Sequence, residues 1–100
     1  MNEYEIYERA VRSFGRDHQI RKAVEELGEL SSALMRLGNG EPVIGNVAEE
    51  IADVEIMLEQ VKIILGDKYE GYLELKKAEK IGKLAHYLTL IDDPKEAEEI

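Results

Sequence analysis

Cysteine and tryptophan are absent from this sequence of 100 residues, which also contains only one phenylalanine and two prolines. Without cysteine, the chain has neither a disulfide framework nor thiolate chemistry. No apolar run approaches the roughly 20 residues that a membrane-spanning helix needs. The amino-terminal segment also lacks the basic and apolar regions of a signal peptide. We therefore expect a soluble, cytoplasmic protein with no membrane partner.

Positive charge is also scarce, since the chain has 13 lysines and arginines but 22 acidic residues, which gives a net charge of −9. Nucleic acids and anionic membranes would repel a chain with this balance. The length suits one domain with a modest core. We thus expect no nucleic-acid partner, and one helical domain over residues 1–91 followed by a short tail over residues 92–100.

Apolar residues recur at three- and four-residue spacing along most of the chain, which is typical of amphipathic helices. Asp17 is the predicted N-cap of the second helix. A short loop containing Gly and Asn joins the second and third helices, which are therefore expected to be antiparallel neighbours. The whole pattern predicts an all-α bundle of four or five helices. Their predicted limits are 3–14, about 18–37, from between Pro42 and Val47 to about Leu65, and from near Lys68 to about Leu90 with an optional break at Gly82.

One acidic motif occurs twice, at a separation of 24 residues. Glu25-Glu26-Leu27-Gly28-Glu29 and Glu49-Glu50-Ile51-Ala52-Asp53 both read as two acids, an apolar residue, a small residue and a third acid. On a helical wheel, the acids spaced i,i+3 in each copy border an apolar stripe. If the two stripes pack together, four carboxylates converge: Glu26, Glu29, Glu50 and Asp53.

Converging carboxylates repel one another, and burial adds a desolvation penalty to their charged form. A divalent cation removes both penalties, whereas a solvated acidic face gives no reason for the motif to repeat in the same register. Ligands that offer only oxygen, without cysteine and without a histidine nearby, favour Mg²⁺ or Mn²⁺ over zinc. The duplication therefore predicts a metal site at Glu26, Glu29, Glu50 and Asp53.

The order Glu-x-x-Glu, a spacer of 20 residues and Glu-x-x-Asp, in a small all-α chain, resembles the MazG-like nucleoside triphosphate pyrophosphohydrolases. Phe14-Gly15 and the segment Gln19–Ala23 are also similar to the way these proteins enter their first motif helix. The resemblance spans about residues 3–91. It implies a MazG-like bundle that hydrolyses (deoxy)nucleoside triphosphates to monophosphate and pyrophosphate with Mg²⁺, or with Mn²⁺. It also implies a homodimer or a homotetramer with substrate sites near the subunit interface.

The resemblance also suggests roles for residues around the four acids. Glu25 or Glu49, each adjacent to a motif acid, is the candidate base that accepts a proton from the attacking water. A lysine on the fourth helix is expected to hold the triphosphate, although ion pairs with Glu74 and Glu79 on a solvated stripe explain the same lysines equally well. The candidate lysines are Lys76, Lys77 and Lys80.

Lys22 and Asn46 occupy equivalent positions one turn before Glu26 and Glu50, and both are candidate substrate-binding residues. Asn46 has a second interpretation, because Glu49 follows it by three residues and the two would form a capping box at the start of the third helix. We slightly favour the capping box, which would occupy Glu49 structurally.

Two other functions fit the same pattern. Phosphoribosyl-ATP pyrophosphohydrolase shares the acids, but it typically has a Tyr-His pair soon after the last one, where this chain reads Val54-Glu55-Ile56-Met57-Leu58. A non-catalytic helical binding or assembly module on the same scaffold is the other alternative. Affinity for Mg²⁺ or Mn²⁺ distinguishes this module from an enzyme.

Overall fold

Four α-helices and one short 3₁₀ turn make up the computed structural model, which describes residues 1–92. The helices are α1 (Glu3–Phe14), α2 (Arg16–Gly38), α3 (Ile44–Leu65) and α4 (Glu70–Asp92), with the turn at Asp67–Tyr69. This part of the chain contains no β-strand, so the predicted all-α class is confirmed. Within it, no helix combines the length and the apolar character needed to cross a membrane. The predicted tail from Asp93 onward lies outside the described residues.

Glycine sets the boundary between α1 and α2. Asn2 caps α1, because its Oδ1 accepts a hydrogen bond from the Glu5 amide at 2.8 Å. Gly15 then ends α1 and begins α2 with a φ of +95°, a left-handed conformation that glycine adopts without a steric penalty. The predicted Asp17 cap is therefore wrong. The chain turns at Gly15, and Asp17 already lies in the first turn of α2.

The start of α3 also differs from the favoured prediction. Val43 is the N-cap, and the Val47 amide donates to the Val43 carbonyl at 2.9 Å, which closes the first helical turn at this point. Asn46 is therefore inside the helix and cannot form the capping box with Glu49. The predicted end of α3 is confirmed, because Gly66 follows Leu65 with a φ of +85°.

Helix α4 continues through Gly82, where the sequence allowed a break into two helices. It ends at Asp92, two residues after the predicted end at about Leu90. None of its residues is buried. The chain divides into two compact units, one over Met1–Gly66 and a second that begins at Asp67. The candidate metal site described below belongs entirely to the first unit.

Helices α1, α2 and α3 form the first unit as a small bundle, in which α3 contacts both other helices and α2 most extensively. The predicted apolar stripes supply only part of the interior, because Leu27, Ile51 and Leu58 remain exposed. Two residues outside those stripes, Ala33 and Met57, are buried instead. The buried apolar residues are Ala23, Ala33, Val47, Val54 and Met57, and the buried polar ones are Gln19, Glu26 and Gln60.

A buried amide pair links the beginning of α2 to the end of α3. Gln19 Nε2 donates to Gln60 Oε1 at 2.6 Å, and both side chains are only 4% exposed. Gln19 Oε1 in turn lies 2.7 Å from His18 Nδ1, which donates to it. Because a buried amide without a partner is costly, this pair fixes which residues of α2 and α3 lie side by side.

We expect Gln60→Leu to lower the melting temperature by several degrees. The substitution leaves Gln19 Nε2 buried without its acceptor, a loss of about 1–3 kcal/mol, and each kcal/mol corresponds to about 4–8 °C in a domain of this size. Circular dichroism during heating measures the change. The double variant Gln19→Leu, Gln60→Leu removes both partners and should recover most of the loss. A single variant as stable as wild type would contradict a structural role for the pair.

Candidate metal centre

Three of the four predicted acids meet where α2 contacts α3. Glu26 and Glu29 come from α2 and Glu50 from α3, and one carboxylate oxygen of each lies within 4.8 Å of the other two. Glu26 is only 7% exposed, Glu50 is half-buried and Glu29 is exposed. The cluster therefore extends from the interior of the bundle to its surface.

Glu26 and Glu50 make equivalent contacts. Lys22 Nζ lies 3.2 Å from Glu26 Oε1, and Asn46 Nδ2 donates to Glu50 Oε1 at 3.5 Å. The second oxygen, Oε2, is buried in both residues and receives no hydrogen bond from residues 1–92. Each carboxylate thus has one oxygen that contacts a residue one turn earlier in its helix, and one buried oxygen without a partner in the described part of the chain.

This arrangement follows from the 24-residue repeat. Lys22 corresponds to Asn46 and Glu26 to Glu50, so each helix carries a nitrogen donor one turn before its glutamate. Asn46 lies on the acid side of α3 and contacts Glu50, as expected if it does not cap the helix, and Glu49 is not engaged in a capping box. Buried polar atoms in proteins are nearly always paired, so the two Oε2 atoms mark a position that could hold a cation.

The electrostatics of the cluster point the same way. Like charge on Glu26, and then on Glu50, raises the pKa of Glu29, with partial desolvation adding to the effect. The pKa of Lys22 is also raised, first by its hydrogen bond to Glu26 and then by the charge of Glu25. Lys22 is consequently a cation at neutral pH and offsets part of the negative charge.

The donor set suits a hard divalent cation. Three carboxylates supply oxygen only, and Mg²⁺ binds oxygen at about 2.0–2.1 Å. Around an octahedral ion at this distance, neighbouring ligand oxygens are about 3 Å apart and opposite ones about 4 Å. The three oxygens, which lie within 4.8 Å of one another, would therefore have to move closer together to share one Mg²⁺ or Mn²⁺.

The remaining predicted acids lie outside this group. Asp53, expected as a fourth ligand, is exposed and does not join the three clustered oxygens. Glu25 and Glu49, the candidate bases, are also exposed. Glu25 Oε1 lies 3.8 Å from Lys22 Nζ, so Lys22 stands between Glu25 and the cluster.

The candidate phosphate-binding lysines share one shallow concave surface of α4. Lys76 Nζ lies 3.3 Å from Glu79 Oε2 and 5.3 Å from the centre of the Tyr72 ring, so the predicted pairing with Glu79 is present. The surface is lined by Leu73, Lys76, Lys77, Lys80, Ile81 and Leu84. It belongs to the second unit, and its lining surface is almost entirely apolar, so the lysines contribute their hydrocarbon chains to it.

Sequence reasoning missed the supporting role of Gln19 and Gln60. A signal existed for Gln60, which is an amide among the apolar residues of α3, where a buried polar side chain requires a partner. No spacing rule connects residue 60 with residue 19, because that pairing depends on how α2 and α3 are rotated against each other.

The pH dependence of stability should reveal the repulsion between Glu29 and the neighbouring carboxylates in metal-free protein. Its folded pKa is raised, so the folded state binds the proton more tightly than the unfolded state does. Stability therefore falls as pH rises from the ordinary glutamate range, about 4.3, through the raised pKa. We expect the melting temperature of wild type, relative to Glu29→Gln, to decrease over this interval in metal-depleted buffer. A constant difference between the two proteins would contradict the effect.

Comparison of the chain with protein-family models, with curated proteins and with solved structures finds no match. Its function is therefore inferred below from the geometry of the acid cluster and from the resemblance of its motifs.

Proposed function

We propose that this protein is a Mg²⁺-dependent hydrolase that converts (deoxy)nucleoside triphosphates to monophosphates and pyrophosphate. Mn²⁺ would serve as an alternative ion. The fold that we propose is a MazG-like bundle in which α2 and α3 form the antiparallel central pair. The acid motifs Glu-x-x-Glu and Glu-x-x-Asp on these helices carry that resemblance.

One observation supports this proposal above the others: Oε2 of Glu26 and Oε2 of Glu50 are buried, related by the sequence repeat and without a hydrogen bond from residues 1–92. Leaving a carboxylate oxygen in this condition is costly. A bundle that needed the two residues only for stability would be better served by amides or apolar side chains. A cation-binding role accounts for both oxygens and for the third carboxylate, Glu29, beside them.

In the proposed mechanism, Glu26, Glu29 and Glu50 would hold the metal ion, with Asp53 as a candidate ligand from the exposed side. When bound, Mg²⁺ would neutralise phosphate charge and lower the pKa of water. The reaction breaks the bond between the α-phosphorus and the bridging oxygen, which leaves with pyrophosphate, while water oxygen bonds to that phosphorus. Glu25 or Glu49 accepts the proton of the attacking water.

Cationic and amide side chains are proposed to position the triphosphate. Lys22 and Asn46 each hold one oxygen of a cluster carboxylate, so they border the position where the phosphates would approach. Lys76, Lys77 and Lys80 add positive charge on α4. Lysine binds phosphate as a compact point charge, and these three residues stay the candidate phosphate-binding lysines of α4.

The test is to incubate the purified protein with the eight common nucleoside and deoxynucleoside triphosphates and Mg²⁺, and to measure pyrophosphate and orthophosphate separately. We expect pyrophosphate and the corresponding monophosphate from at least one nucleotide, and loss of both in EDTA. Release of orthophosphate alone, or no product from any nucleotide, would overturn the proposal. Phosphoribosyl-ATP, assayed in parallel, distinguishes the related pyrophosphohydrolase.

Metal affinity separates an enzyme from a non-catalytic assembly module. Calorimetry with Mg²⁺ or Mn²⁺ should show a site in wild type that disappears in Glu50→Gln. Glu79→Gln, an exposed acid of α4 paired with Lys76, is the matched control and should bind the ion as wild type does. Absence of metal binding to wild type would favour the assembly module.

A further inference from the structure

The two helices of the acid cluster differ in the charge of the side chain that lies one turn before each glutamate. On α2 this side chain is Lys22, whose Nζ lies 3.2 Å from Glu26 Oε1. On α3 it is Asn46, whose Nδ2 donates to Glu50 Oε1 at 3.5 Å. The 24-residue repeat thus places a positive charge against one carboxylate and a neutral amide against the other. A cation that binds between them is repelled from the α2 side.

Lys22 is the counter-ion that the chain itself supplies to the cluster. Glu26, Glu29 and Glu50 bring three carboxylate oxygens within 4.8 Å of one another. Among residues 1–92, no other cationic side chain forms an ion pair with these three acids, and Lys22 Nζ also lies 3.8 Å from Glu25 Oε1. Opposite charge offsets the repulsion between carboxylates, so Lys22 stabilises the bundle in metal-depleted buffer.

Lys22 satisfies only part of the Glu26 carboxylate. It contacts Oε1, whereas Oε2 is buried without a hydrogen bond from residues 1–92, on a residue that is only 7% exposed. The Lys22 side chain is itself 43% exposed. A lysine ammonium on its flexible stem can therefore turn into solvent without leaving a buried charge behind. Glu26 can thus exchange its lysine for a divalent ion.

A divalent ion and the Lys22 ammonium compete for the same negative charge. Even at the screening of bulk water, two unit charges about 4 Å apart change an equilibrium constant by roughly fivefold. A divalent ion carries twice the unit charge, and screening is weaker beside a buried carboxylate such as Glu26. Lys22 is therefore expected to weaken metal binding by at least about tenfold, relative to the neutral amide that the repeat places on α3.

We propose that Lys22 is a tethered cation that competes with the divalent ion and sets the metal concentration at which the acid cluster is filled. At low metal concentration it pairs with Glu26 and stabilises the bundle. When the ion binds, Lys22 gives up this ion pair, so part of the binding free energy of the ion is spent on displacing it. The proposal rests on the metal centre of the proposed function, and it adds a control over how readily that centre is occupied.

Lys22→Asn tests the competition, because asparagine is the residue that the repeat places at the equivalent position of α3. Calorimetric titration with Mg²⁺ or Mn²⁺ should show an affinity at least about tenfold tighter than that of wild type. Lys62→Asn is the matched control, since it removes the same charge from a half-exposed lysine of α3 that pairs with Glu59 at 3.1 Å. Its affinity for the ion should stay close to that of wild type, because salt screens exposed charges outside the site.

Thermal unfolding provides the second measurement. In EDTA, Lys22→Asn should melt below wild type, because the carboxylates lose their counter-ion. Added metal should then raise its melting temperature by more than that of wild type, since a tighter ligand stabilises the folded state more. A lysine with a purely structural role would lower the melting temperature equally in both conditions and would leave the affinity for the ion unchanged.

Asn46→Lys tests the proposal in the opposite direction, and it serves alone if Lys22→Asn fails to fold. It adds the equivalent cation on α3 and should weaken metal binding by at least about tenfold. If wild type binds the ion, but Lys22→Asn binds it no more tightly or Asn46→Lys binds it no more weakly, the competition is wrong and the metal centre stands. If neither wild type nor Lys22→Asn binds Mg²⁺ or Mn²⁺, both the competition and the metal centre are wrong.

Discussion

Glu26→Gln is expected to lower the rate of pyrophosphate release by about 100-fold or more, while the helices stay intact. Glu26 is the most buried acid of the cluster, and its Oε2 has no hydrogen-bond partner among residues 1–92. Glutamine keeps the shape, and its amide oxygen accepts the hydrogen bond from Lys22. The amide nitrogen then takes the place of Oε2 and donates to Glu29 or Glu50, so the site loses both a charge and a ligand atom.

The expected size of this effect is estimated from substitutions of residues that support metal ligands without binding the metal themselves. Replacing a residue that only supports a metal ligand typically costs 10–100-fold in affinity or activity, and removal of a ligand costs at least as much. A 100-fold loss corresponds to about 2.7 kcal/mol of transition-state stabilisation. Initial rates at saturating Mg²⁺, with kcat and KM determined separately, measure the loss. We expect it mainly in kcat.

Glu79→Gln is the matched control, since it removes the same charge from an exposed position on α4. Its turnover should stay close to that of wild type unless Lys76, the partner of Glu79, holds the triphosphate. In that case the change should appear in KM. Wild-type turnover in Glu26→Gln would contradict a ligand role for Glu26 and leave it as a structural residue bound to Lys22.

The acid cluster could be predicted from sequence because the repeat carries more information than either motif alone. Glu26 and Glu50 stand in the same register against similar apolar residues, so packing of the two helices brings them together. Gly15 and Gly66 mark helix ends because both adopt positive φ, which favours glycine. These features depend on the spacing of residues along the chain and on which residues adopt a positive φ, and both can be read from the sequence.

The features that were predicted incorrectly from the sequence depend on tertiary contacts. Periodicity defines an apolar arc on each helix, but it does not fix which half of the arc faces the neighbouring helix. Burial of Ala33 and Met57 shows that α2 and α3 are rotated away from Leu27 and Ile51. The same rotation buries Gln60. It leaves Asp53 exposed, so that its carboxylate does not join the oxygens of Glu26, Glu29 and Glu50. None of these outcomes follows from the spacing of residues within one helix.

Metal ions are expected to raise the melting temperature of this protein substantially. A ligand that binds only the folded state stabilises it by RT ln(1 + [L]/Kd), about 2.7 kcal/mol at 100 times Kd. For a domain of this size, each kcal/mol corresponds to about 4–8 °C, so Mg²⁺ or Mn²⁺ should shift the transition by roughly 10 °C or more. Thermal unfolding in EDTA and at increasing metal concentration measures the shift.

Glu50→Gln separates this effect from general ion effects. In EDTA the variant should melt several degrees higher than wild type, because it loses a charge beside Glu26 and Glu29 and gains an amide that can donate to Glu26 Oε2. Satisfying a buried oxygen is worth on the order of 1 kcal/mol. With metal present the order should reverse, since the variant has lost a ligand and gains less from the ion.

The control is again Glu79→Gln, whose exposed ion pair with Lys76 contributes little to stability. It should follow wild type both in EDTA and in metal. If Glu50→Gln instead melts below wild type in EDTA and responds to metal as wild type does, the contact with Asn46 at 3.5 Å is the main role of Glu50. The buried Oε2 atoms would then have no part in cation binding, and the assignment of the acid cluster as a metal centre would be wrong.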